Sequence, residues 1–148
     1  MIRVVGVVQR KDTGRPEIAY GRRCKPSEIA HEVNVAELEI LLGLRIERGV
    51  KIGKAEPDGV SESKGRKFAI ELDYSGKMTQ KQMQEKWKRY GDVKGYFVLV
   101  VAMTEARMER LRKGSKEVKI PILFTTFDRL RSGAKEPCVD WKGNKARI

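Results

Sequence analysis

The chain has 148 residues, 40% hydrophobic and 35% charged, a length that fits one domain able to bury a core of its own. No apolar run approaches the ~20 residues of a membrane span, and Arg3, Gln9, Arg10 and Lys11 interrupt any secretory h-region near Met1, so a cytoplasmic protein with no membrane partner is expected. Lys and Arg outnumber Asp and Glu by 32 to 20, a formal charge of +12 that favours a polyanion such as DNA, while a single histidine and two distant cysteines argue against a Cys/His zinc site.

In chain order, Arg3 to Val8 is a β-branched run, residues 10–16 are turn-rich, and Glu17 to Tyr20 reads as a returning strand, so residues 1–20 form a hairpin. Pro26-Ser27 opens a helix, with Ser27 as N-cap and Glu28 in the first turn. Its apolar residues Ile29, Val33, Ala36, Ile40 and Leu44 recur at helical spacing as far as Gly49, with a weak first half around Asn34. Val50 to Lys54 reads as a strand leading to Pro57-Asp58, Ser61 to Arg66 as a turn, and Lys67 to Asp73 as the next strand. Thr79-x-x-Gln82 is a capping box for a second helix running to Tyr90, with Met83, Trp87 and Tyr90 on one face. Tyr96 to Ala102 is nearly all apolar, as a central strand buried on both faces must be. Thr104 caps a third helix to Arg112, Lys119 to Thr125 is another buried strand, and a helical turn follows at Asp128 to Arg131. Residues 133–148 then read as a basic tail anchored by Trp141, outside a single domain over residues 1–132. The order predicts an α/β fold with a central mixed sheet flanked by helices.

Three acids stand out in this basic chain. Glu71 and Asp73 are two apart on a strand and so share a face, and Asp58 ends the preceding segment beside a turn glycine, Gly59. An Asp and a Glu from neighbouring strands with a third acid beside them make an oxygen cage suited to Mg²⁺ or Mn²⁺. Each has a plainer reading: Pro-Asp-Gly is a common turn, Lys86 is by default a solvated helix residue, Trp87 and Tyr90 read as core, and His31 reads as a hydrogen-bonded structural histidine. Glu37 or Glu39 on the first helix would be a further metal contact or an ordinary exposed acid. Phosphate-binding candidates are spread along the chain: Arg22, Arg23 and Lys25, then Lys64 and Arg66, Lys77, and Lys88 and Arg89.

Helix, Pro57-Asp58, Glu71-x-Asp73, helix and buried strand together resemble the PD-(D/E)xK nuclease superfamily over about Ser27 to Ala102. The resemblance implies a restriction-endonuclease-like three-layer fold, Mg²⁺ held by Asp58 and Glu71, and DNA, double-stranded or branched, as substrate. The family's usual strand lysine is replaced here by Asp73, and Lys86-x-x-x-Tyr90 lies where some exonuclease branches carry Gln-x-x-x-Tyr, so the resemblance implies that Lys86 supplies the missing cation. A narrower likeness is to the replication-relaxation family of plasmids and mobile elements, carried by His31, Val35-Ala36-Glu37, Pro57-Asp58-Gly59, Glu71-Leu72-Asp73, Lys86 and Tyr90. Two functions follow as expectations: a metal-dependent DNA endonuclease or nickase of a mobile element or virus, with Asp58, Glu71, Asp73 and Lys86 catalytic, or a non-catalytic DNA-binding protein of plasmid or viral replication that keeps the fold. Either leaves a homodimer open.

Overall fold

The computed structural model describes residues 3–9, 16–21, 26–116 and 118–148. Strands β1 (Arg3–Gln9) and β2 (Pro16–Gly21) pair antiparallel in a two-stranded sheet of their own, as the N-terminal hairpin requires. The tip of that hairpin, and Arg22, Arg23, Cys24 and Lys25 after it, lie outside the described residues. Helix α1 (Pro26–Leu42) runs unbroken through Asn34, whose side-chain amide donates to the Ala30 carbonyl at 2.7 Å. The helix stops well before Gly49. Gly43 takes a φ of +63°, and the N–H groups of Gly43 and Leu44 turn back to the carbonyls of Ile40 and Glu39, a left-handed glycine cap.

The strand expected at Val50 to Lys54 does not form. Gly49 and Gly53 both take positive φ, at 72° and 58°, so the backbone turns twice around the β-branched pair and makes only the isolated bridges Glu47–Val60 and Ile52–Ala55. β3 (Gly59–Ser63) and β4 (Arg66–Asp73) are a tight hairpin. The turn expected over Ser61 to Arg66 shrinks to Lys64-Gly65, with φ of 52° and 76°, the two left-handed positions that match the twist of the flanking strands. Gly59 is needed for close packing rather than for a turn, since a Cβ there would stand 2.2 Å from the Ile46 side chain.

Helix α2 (Gln80–Lys88) begins with the Thr79–Gln82 capping box, and α3 (Glu105–Lys113) with Thr104 as N-cap. Between them lies β5 (Tyr96–Ala102), and β6 (Ile122–Thr126) leads directly into the short α4 (Phe127–Arg131). The stretch read as a basic tail joins the sheet instead: β7 (Cys138–Val139) and β8 (Lys145–Ala146) extend it antiparallel, Cys138 is a buried free thiol, and Trp141 is 39% exposed rather than an anchor. The six strands run in the order β3-β4-β5-β6-β7-β8, with β4, β5 and β6 parallel and the outer pairs antiparallel.

Two cores follow from the alternation of β5. Val98, Val100 and Ala102 face Met83, Trp87, Met108 and Leu111 of α2 and α3, while Leu99 and Val101 face Leu38 of α1 and Phe127 of α4. The molecule is therefore a small α/β domain with a mixed sheet between helices. No helix among the described residues is long and apolar enough to cross a membrane.

Candidate active site

Parity along β4 decides where its acids go. Ala69 packs under α2 and α3, so Glu71 and Asp73, two and four residues on, face the same helices at the strand's carboxyl end. The β3–β4 register ends with Gly59 opposite Ile70, and the next step outward sets Asp58 beside Glu71. All three acids line one cleft of about 670 Å³, together with His31, Arg48 and Lys86.

Asp58 is fixed from two sides. Its Oδ2 accepts the Leu72 N–H at 2.7 Å, and His31 Nε2 of α1 stands 3.4 Å from its Oδ1. Arg48 braces the same loop, donating from Nε to the Asp58 carbonyl at 2.7 Å and from Nη1 to Glu32 at 2.8 Å. Glu71 is the most buried acid of the cleft. Its Oε1 accepts the Tyr90 hydroxyl at 2.5 Å, and its Oε2 meets Lys86 Nζ at 2.5 Å. Burial pushes the Glu71 carboxyl above its ordinary pKa, Lys86 and then Tyr90 pull it back down, and the neighbouring Asp58 adds a smaller upward push. Tyr90 is held firmly in its neutral form by its own burial and by the Glu71 charge.

Asp73 is committed elsewhere. Arg107 of α3 grips it with a fork, Nε to Oδ2 at 2.6 Å and Nη2 to Oδ1 at 3.1 Å, and the same Nη2 reaches the Met78 carbonyl at 3.1 Å. Consequently the shell of three carboxylates expected from the sequence is not assembled: among the described residues no three His, Cys, Asp or Glu side chains come together in a metal-binding arrangement. Asp58 and Glu71 remain as a pair. Two carboxylates still suit Mg²⁺, which keeps most of its waters and needs only one or two protein acids.

Lys86 lies one turn from Tyr90 and against Glu71, while Gln82, one turn earlier on α2, accepts the Thr79 N–H at 2.9 Å as the capping box requires. Glu37 pairs with Arg131 at 2.8 Å, and Glu39 accepts the Ile46 N–H at 3.1 Å, so neither first-helix acid reaches the cleft. Of the phosphate-binding candidates, Lys77 lies in the loop that borders the cleft, between Ser75 and Met78, whereas Lys64 and Arg66 are at the opposite end of β4. Lys88 and Arg89 are exposed where α2 ends. Arg107 and Arg48 were not singled out in the sequence. The available signal for Arg107 is that a buried acid needs a cation, and α3 opens just after β5, the strand paired with β4 through Asp73 and Ala102.

No family model matches the chain, nor does any curated protein or solved structure.

Proposed function

We propose that the cleft is the site of a metal-dependent DNA endonuclease or nickase of the PD-(D/E)xK type. The observation that carries this reading is the convergence of Asp58 and Glu71, both lining one cleft, with Lys86 on Glu71 from a different element. Two acids and an amine in one concave site are the parts that phosphodiester hydrolysis needs, because the reaction adds negative charge to an already anionic group. Asp58 and Glu71 would hold Mg²⁺ or Mn²⁺. A divalent ion supplies charge neutralisation at the phosphoryl oxygens and a lowered pKa for attacking water. The protein's own groups orient and charge the site. Lys86 offsets phosphate charge in the place of the strand lysine, Tyr90 fixes the Glu71 carboxylate, and the Leu72 N–H and His31 fix Asp58. Asp73, tied to Arg107, acts as a strut for the end of β4 and the loop to Met78 rather than as a ligand.

The second reading, a DNA-binding protein of plasmid or viral replication without catalysis, draws support from the same contacts. Both Glu71 oxygens and the Asp58 Oδ2 already have donors in the protein. The experiment that separates the two incubates purified protein with supercoiled, linear and four-way-junction DNA in Mg²⁺, Mn²⁺ or EDTA, with Asp58→Ala as control. The endonuclease reading expects nicking or cutting that needs the divalent ion and disappears in Asp58→Ala. Binding without cleavage under every metal selects the second reading.

A further inference from the structure

At the other end of β4 the surface changes character. Gly65 of the hairpin turn with the start of β4, the loop between α2 and β5, and the segment Lys119 to Pro121 that leads into β6 enclose a groove of about 370 Å³. Four cations line it, Arg66, Lys67, Lys94 and Lys119, and no acid does, although Glu62 stands opposite Lys67 across the β3–β4 ladder and, with Glu47, lines a neighbouring groove that Lys67 also borders. Elsewhere five arginines are spent on the protein's own carboxylates: Arg48 on Glu32, Arg107 on Asp73, Arg112 on Glu109, Arg129 on Glu105, Arg131 on Glu37. Around the groove no such pairs form among the described residues.

Two of these cations are nonetheless held in place. The Arg66 guanidinium stacks over the rings of Phe68 and Phe97, 5.7 and 5.8 Å from their centroids, and the Lys67 ammonium lies 5.8 Å from the Tyr96 ring. Stacking on a ring face fixes a cation without occupying its N–H donors. A fixed cation with unused donors is prepared for a phosphate, since less side-chain entropy is lost on binding. A carboxylate partner in place of the ring would have consumed the same donors.

We propose that this groove binds the phosphate backbone of a DNA segment other than the one that lies across the cleft. The separation supports two segments. Arg66 and Glu71 lie at opposite ends of β4 and, being an odd number of residues apart, on its opposite faces, Arg66 beside Phe68 on the α1 side and Glu71 with Ala69 on the side of α2 and α3, so the groove and the cleft face different ways. A protein gripping two segments at once is suited to branched or paired DNA. The proposal rests on the reading of the cleft as a DNA site, though not on catalysis there.

The test measures binding of a fluorescent 16-bp duplex by anisotropy over 50–300 mM salt in EDTA, where no cleavage occurs. The groove variant is Arg66→Gln with Lys94→Gln and Lys119→Gln. With three phosphate contacts gone, the slope of log K against log salt should fall in magnitude by about 2.7, and affinity at low salt by tenfold or more. A second variant, Lys94→Glu with Lys119→Glu, leaves Arg66 on its rings and should show the same direction if the first fails to fold. Two duplexes carrying a donor and an acceptor dye should give energy transfer with the wild type and not with either variant. An unchanged slope and affinity in a folded variant overturns the proposal, and so does the absence of energy transfer with the wild type. Loss of cleavage in the cleft, or its absence altogether, leaves these readouts where they are.

Discussion

At the carboxyl end of β4 each buried acid has a donor of its own: Glu71 has Lys86 and Tyr90, and Asp73 has the Arg107 fork. At the amino end of the same strand Arg66 and Lys67 rest on aromatic rings with no acid lining their groove. The difference separates two uses of charge. Charges neutralised within the protein set the geometry of the cleft and give its elements fixed relations to one another. Charges left unneutralised face outward and contribute to the net +12, a field that attracts anions to that surface. The contrast makes sharp demands on mutations, because removing a cation should damage the fold at one end and only binding at the other.

The largest effect on stability is expected from Arg107→Ala. It leaves Asp73, with a side chain only 5% exposed, as a buried charge without its partner, and also frees the Met78 carbonyl. Breaking a buried pair in this way costs about 3–5 kcal/mol. Arg66→Ala at the opposite end should cost under about 1 kcal/mol, the scale of a cation–ring contact. Urea denaturation of both variants checks the comparison, and equal losses would mean that the two ends do not differ as described.

Next in size is Lys86→Ala, which bears on cleavage as well as on folding. Its own side chain is 31% exposed, but it is the cation on Glu71, whose side chain is 5% exposed and keeps the Tyr90 hydroxyl alone once the lysine is gone. Under the endonuclease reading the cleavage rate should fall ~10²-fold or more, with DNA binding nearly intact. Cleavage lost in Asp58→Ala but unchanged in Lys86→Ala would discard the relocated lysine while keeping the metal pair.

How far these features could be read from the sequence depended on how local their causes are. The Thr79–Gln82 box, the Thr104 cap and the apolar run of β5 are set by residues within a turn of one another, and the structure places them as expected. The period of two on β4 was legible and sets Glu71 and Asp73 on one face, but the strand that brings Asp58 beside Glu71 is β3, whose second half read as a turn, and not the strand expected at Val50 to Lys54. What escaped depends on distant partners. Arg107 lies 34 residues from Asp73, and nothing near Asp73 in the chain says which cation will meet it. Gly59 looked like a turn residue because the Ile46 side chain that excludes a Cβ is thirteen positions earlier. The two-residue strands β7 and β8 carry too little period to be seen, and they form because β6 offers an edge to pair with. The aromatic seats of Arg66 and Lys67 likewise need β4 laid beside β5.

The smallest expected effect is the one most specific to the cleft. Burial raises the Glu71 pKa above its ordinary 4.5, more than Lys86 and Tyr90 lower it. A group whose folded pKa lies above its unfolded value favours the folded state most when protonated, and that contribution is lost as pH rises through the folded pKa. Ionised Glu71 is therefore a burden on the fold at neutral pH. A glutamine in place of Glu71 would keep the shape, would still accept from Tyr90 or Lys86, and would not titrate. Relative to the wild type, Glu71→Gln should gain stability as pH rises from about 4 and level off above the folded pKa. Urea midpoints for both proteins at pH 4.5, 6 and 7.5 measure it. If the wild type instead gains on Glu71→Gln with rising pH, the ion pair with Lys86 outweighs burial and the acid is there for stability. If Glu71→Gln is the more stable protein at pH 7.5 and has also lost metal-dependent cleavage, the charge is retained against the interest of the fold, which is how a carboxylate kept for binding a cation should behave.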